Sequence, residues 1–123
     1  MSDNQVIESQ AIETLRGLSP DDGGAFLREL IEIFLQDTPL RLTEIDQALA
    51  KLDGPSLIRA AHTIKGSSGN FGATRLARLA LEIEMLGKAG KLPEAAPACA
   101  RLKTEYALVA EALSQVAGGA TSA

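Results

Sequence analysis

Apolar residues recur along this chain at helical spacing, in stretches separated by proline, glycine and aspartate. Val6, Ile7, Ile12 and Leu15 mark a first, weak helix over about residues 5–17. The next start is clearer. In "LSPDDGG", Ser19 can cap, Pro20 suits a first helical position, and Asp21 and Asp22 favour the positive end of a helix dipole. Leu27, Leu30, Ile31 and Phe34 follow on one face. Pro39 has no amide proton, so this helix is expected to kink or divide near Thr38, with Leu42, Ile45, Leu49 and Leu52 forming a new stripe beyond it. "DGPS" then interrupts the chain, and Pro55 is placed to open another helix, which runs until "NFGA", where Gly72 can adopt a left-handed cap.

A further helix is predicted over 74–87, burying Leu76, Leu79, Ile83 and Leu86. "GKAGKLP" (87–93) reads as a turn, and the last helix is expected over 93–116, with Cys99, Leu102, Tyr106, Val109 and Leu113 on one side. Short turns between amphipathic helices predict an all-α fold, an antiparallel up-down four-helix bundle with an additional N-terminal helix. One domain over 1–117 and a flexible tail over 118–123 are expected.

Composition narrows this picture. Of 123 residues only 3% are aromatic and none is Trp, so Leu, Ile, Val and Ala must build the core, which suits helix against helix better than a sheet. A formal charge of −4 argues against general nucleic-acid binding, which needs a basic face. No signal peptide is visible in "MSDNQ", and no apolar run approaches the roughly 20 residues needed to cross a bilayer. Cys99 is the single cysteine, so an internal disulfide is impossible and a reducing compartment fits. A soluble, cytoplasmic monomer is expected. A start at Met1 and a polar end are what a freestanding protein would show, although a segment of a larger kinase could read the same way.

The only histidine, His62, lies in "AAHTIKGSSGNFGA". With about 100° of turn per residue, Leu57, Ala61, Ile64 and Ser68 fall on one stripe suited to the core, while His62 lies about 200° from Ile64. Arg59, Lys65, Gly66 and Gly69 lie within about 60° of His62, so the outer stripe reads Arg, His, Lys, Gly, Gly. A glycine inside a helix costs about 1 kcal/mol against alanine, and two share this face. Trimming side chains around an exposed imidazole makes sense if another protein's surface must come close to it. A helix ending near Gly66, with His62 an ordinary surface residue, is the bland alternative. The charge map weighs against that alternative, because no Asp or Glu occurs from Gly54 to Leu81 while Arg59, Lys65, Arg75 and Arg78 do. A local positive field suits an anion or an acidic partner. If the chain folds back at Gly72 and Ala73, His62 and Glu84 are equidistant from the turn. Glu84 is then a candidate to accept the Nδ1 proton of His62 and leave Nε2 unprotonated and outward; a solvated Glu84 is the alternative.

"AHTIKGSSGNFGA", from Ala61 to Ala73, resembles the motif of the histidine-containing phosphotransfer (HPt) family of bacterial multistep phosphorelays, roughly A-H-x-[LI]-K-G-[SA]-[SA]-x-x-[FLV]-G-[AL]. "FLRELIEIFLQDTPLRLTEIDQAL" and "RLARLALEIEML" are similar to the helices that flank it in the family. The resemblance implies a four-helix bundle with His62 as phosphoacceptor, Lys65 neutralising phosphoryl oxygens, and Gly66 leaving room for the partner; Arg59 and Gly69 share that partner-facing stripe. Family members often carry Gln, and some Glu, at the position of Glu84, contacting the imidazole. The implied partner is a receiver domain of a response regulator or hybrid histidine kinase, bearing a phosphorylated Asp and Mg²⁺; no cofactor or metal is expected on this chain.

The chemistry is compatible. An imidazole with the ordinary pKa of about 6.5 is mostly neutral at pH 7 and is a fair nucleophile. "GKAGK" is not a Walker sequence, so autonomous ATP-dependent kinase activity is not expected. One His and one Cys far apart make a zinc or Cys-His site improbable. Cys99, Ser67, Ser68 and Met85 read as packing residues, and Tyr106 as core with its hydroxyl at the edge. A helical adaptor that binds a receiver or kinase without accepting phosphate is the alternative function.

Overall fold

A computed structural model describes residues 6–121, with side chains to Gly118. It contains five helices: α1 (Ser9–Gly17), α2 (Ala25–Lys51), α3 (Gly54–Asn70), α4 (Thr74–Lys88) and α5 (Leu92–Thr121). No strand occurs among the described residues. Helices α2 to α5 form an antiparallel ring in which each packs on the next and α5 closes back onto α2, while α1 lies against α2. Tight turns enforce this order. Asp53 caps α3 by accepting from the amide of Ser56 at 3.2 Å and its hydroxyl at 2.6 Å, with Pro55 in the first turn. Gly72 turns the chain from α3 into α4 with φ +66°, and a Cβ there would stand 2.6 Å from that of Glu8, so α1 seats directly on this turn.

The core follows the apolar stripes. Leu57, Ala61, Ile64 and Ser68 of α3 are all fully buried, against Ile31 and Ile45 of α2, Leu76 and Ile83 of α4, and Leu102, Val109 and Leu113 of α5. Phe34, Phe71 and Tyr106 cluster at the Gly72 end, with ring centroids 5.3 and 5.8 Å apart. Cys99 is buried, and that burial pushes its thiol up to about 11, so it packs rather than reacts.

Three local expectations are corrected. Helix α2 begins at Ala25 rather than Pro20, because the Asp22 carboxylate accepts from the amides of Gly24 and Phe26, both at 2.9 Å, and so takes the capping role given to Ser19. Pro39 does not divide the helix, which runs unbroken to Lys51. The carbonyl of Leu35, which lacks an amide donor from Pro39, accepts instead from the Tyr106 hydroxyl at 3.4 Å. Helix α1 begins at Ser9, leaving Val6 and Ile7 before it; residue 5 lies outside the described residues. At the other end α5 runs to Thr121, into the stretch read as a tail, since Gly118 and Gly119 lower helix propensity without forbidding the conformation. Residues 122 and 123 lie outside the described part.

Candidate functional site

Helix α3 holds its core stripe inward, and that fixes the opposite stripe outward. His62 has 65% of its side chain exposed, and Gly66 and Gly69 lie open beside it. A Cβ built on Gly66 or Gly69 meets nothing within 4 Å, and neither residue has a positive φ. Nothing inside this fold therefore requires glycine at those two positions. Gly87 is the reverse case: its missing Cβ would stand 2.8 Å from Cγ1 of Ile58, so glycine there lets α3 and α4 close together.

That close approach brings Glu84 of α4 beneath the imidazole. Its Oε2 lies 3.1 Å from Nδ1 of His62, and its side chain is only 5% exposed. A carboxylate with no proton accepts, so in the neutral imidazole Nδ1 carries the hydrogen and Nε2 presents its lone pair to solvent. Two ammonium groups flank the same carboxylate: Lys65 Nζ at 3.0 Å from Oε1 and Lys88 Nζ at 3.2 Å from Oε2. Burial alone would raise the pKa of Glu84, but Lys65, Lys88 and His62 together outweigh it and bring the carboxyl down to about 2. The group is ionised throughout the neutral range.

The structure thus brings His62, Lys65 and Glu84 into one cluster, with Gly66 and Gly69 on its open side. Arg59 stands one turn away, exposed at the rim of a cleft that also contains Arg41, Lys51 and Asp53, and takes no part in the cluster. The acid-free stretch does not converge on the imidazole as expected. Arg75 pairs with Glu105 of α5 at 3.2 Å, on the far side of α4, and the exposed Arg78 lines the same cleft as that pair. Met85, expected to pack, is 56% exposed, because it lies about 200° around α4 from the buried positions Ile83 and Gly87. Lys88 was missed. The sequence assigns it to the turn after α4, but the helix runs one residue further and ends on it. Its signal was present as a Glu-x-x-x-Lys pair, the spacing that places two side chains on one helix face.

Among the described residues no group of three His, Cys, Asp or Glu side chains could hold a metal ion, and no helix is long and apolar enough to cross a membrane. What remains is a helical bundle presenting one solvent-facing imidazole, its inner nitrogen committed to a buried carboxylate and its outer nitrogen free. The chain belongs to the Hpt domain family, the histidine-phosphotransfer modules of phosphorelays, whose sequence profile matches residues 29–116. Among solved structures it is similar to histidine-containing phosphotransfer protein B (HptB) from Pseudomonas aeruginosa PAO1, with a TM-score of 0.85 and 26% sequence identity over 94% of this chain and 96% of that one. No curated protein sequence matches it significantly.

Proposed function

We propose that His62 accepts a phosphoryl group from the aspartyl phosphate of a receiver domain and hands it to the aspartate of another. The free Nε2 lone pair carries this reading. It attacks phosphorus, the P–O bond to the aspartyl carboxyl breaks, and the carboxylate leaves with that electron pair. An N–P bond has formed while Nδ1 keeps its hydrogen, so the ring becomes cationic, and the Glu84 carboxylate 3.1 Å away stabilises that charge. Reversing the step regenerates the neutral ring, which suits a carrier that must both take and give.

Lys65 is placed one turn from His62 and is one-third exposed, so it can leave Glu84 and swing onto the phosphoryl oxygens as a mobile point charge. Gly66 and Gly69 leave the outer face low enough for a receiver's loops to bring phosphorus within reach of Nε2. Phosphoryl transfer asks a protein mainly for this positioning and charge neutralisation. Mg²⁺ belongs on the receiver, where it would neutralise the phosphoryl group.

The test is incubation with a receiver domain carrying labelled aspartyl phosphate and Mg²⁺. Acid-labile, base-stable label should appear on this chain and be absent from a His62→Gln variant that melts like the wild type. Label that persists in the variant removes His62 from the role.

A further inference from the structure

Lys88 belongs to none of the motif positions, yet it touches the most sensitive atom of the site. Oε2 of Glu84 receives two partners, Nδ1 of His62 at 3.1 Å and Nζ of Lys88 at 3.2 Å. Those two contacts place the ammonium no more than about 6 Å from the imidazole, a range in which charges alter each other's protonation. A buried carboxylate beside an imidazole has two effects that conflict. It orders the tautomer by holding Nδ1–H, and it favours adding a second proton at Nε2, which would remove the nucleophile.

The charges facing His62 show how that conflict is settled. Helix α4 contributes Glu84 and Lys88, and α3 contributes Lys65 together with the more distant Arg59. Helix α2 presents Arg41 between Asp37 at 3.3 Å and Glu44 at 2.9 Å, a group closed on itself. Helix α5 packs on α2 and α4, and its Arg101 and Lys103 are engaged with Glu82 and Asp46. Around the ring, therefore, one carboxylate is balanced by two ammonium groups.

Lys65 cannot supply this balance throughout the reaction, because the phosphoryl group competes for it. Lys88 can. It lies on the same helix as Glu84, one turn further on, and it shares the oxygen that His62 uses. We infer that Lys88 is a positioning residue that acts through Glu84: it leaves the carboxylate strong enough to hold Nδ1–H and too weak to draw a proton onto Nε2. The consequence for transfer rests on His62 being the acceptor, whereas the protonation state of the ring does not.

Because His62 is the only histidine, its imidazole nitrogens can be followed by long-range ¹H–¹⁵N NMR across a pH series without assignment. Lys88→Met keeps the aliphatic stem and removes the charge; Lys88→Arg keeps the charge. The midpoint of the imidazole titration should move up by about one pH unit in Lys88→Met and stay with the wild type in Lys88→Arg. Transfer from a labelled phospho-receiver should show the same displacement, with Lys88→Met recovering the wild-type rate at alkaline pH. An unchanged midpoint in Lys88→Met overturns the assignment. So does a rate that falls equally at every pH, which would place Lys88 on the phosphoryl group itself. If the midpoint moves but no label reaches wild-type His62, the positioning role stands and the acceptor role fails.

Discussion

Gly66 and Gly69 offer a test in which stability and function should part. Both lie inside α3, both have helical backbone, and a Cβ added to either meets nothing within 4 Å. Alanine should therefore improve the isolated protein. A glycine in a helix interior costs about 1 kcal/mol relative to alanine, and rather less at Gly69, one residue from the helix end, so the double variant Gly66→Ala/Gly69→Ala should gain about 1.5 kcal/mol. For a chain of this size that is roughly 5 °C in the midpoint of thermal unfolding followed by circular dichroism. The same two methyl groups project from the stripe that carries His62. If a receiver packs there, each methyl overfills a close contact, at about 1–3 kcal/mol, and affinity should fall about 5- to 150-fold per site.

The assay pairs the melt with a titration against a receiver domain and an initial-rate measurement of transfer to His62. Ser114→Ala, on the exposed face of α5, serves as control: it should stabilise slightly and leave docking unchanged. A double variant that is more stable and docks as well as the wild type would show that these glycines serve nothing outside the fold. A double variant that is less stable would show that the space over α3 is not free.

Lys65→Ala should slow transfer on the order of tenfold while the fold persists by circular dichroism; unchanged rates would remove Lys65 from the mechanism. Glu84 has its carboxyl depressed from 4.5 to about 2 in the folded state, so its contribution to stability is present above pH 4.5 and lost as the pH falls towards 2; chemical denaturation across that range should show the wild type losing its advantage over Glu84→Gln. Ser68→Ala should stabilise the protein by about 1 kcal/mol, because the hydroxyl is fully buried in α3 with no partner among the described residues, as urea unfolding would show. Tyr106→Phe should cost about 1 kcal/mol by the same measurement, and less in a Pro39→Ala background, where an amide again serves the Leu35 carbonyl.

What the sequence discloses and what it conceals divides by the distance over which each feature is decided. The α3 stripes depend on helical periodicity alone, and the buried row from Leu57 to Ser68 matches it position by position. Asp53, Pro55 and Gly72 act within a few residues of themselves and are equally readable. Glu84 lies 22 residues from His62 and was still reachable, because one tight turn joins their helices and counting from it fixes the register. Pro39 defeats the same method. Whether a proline ends a helix depends on what becomes of the carbonyl four residues earlier, and here the answer is Tyr106, 71 residues away on a helix reached through three turns. The Arg75 side chain was misplaced for a related reason, since its partner Glu105 belongs to α5 and nothing near Arg75 announces it. Lys88 falls between these cases: its pairing with Glu84 is local, but a helix boundary displaced by one residue was enough to hide it. The candidate site is readable because its groups are confined to a single helical hairpin, with α2 and α5 serving to hold that hairpin's inner face dry and its outer face out.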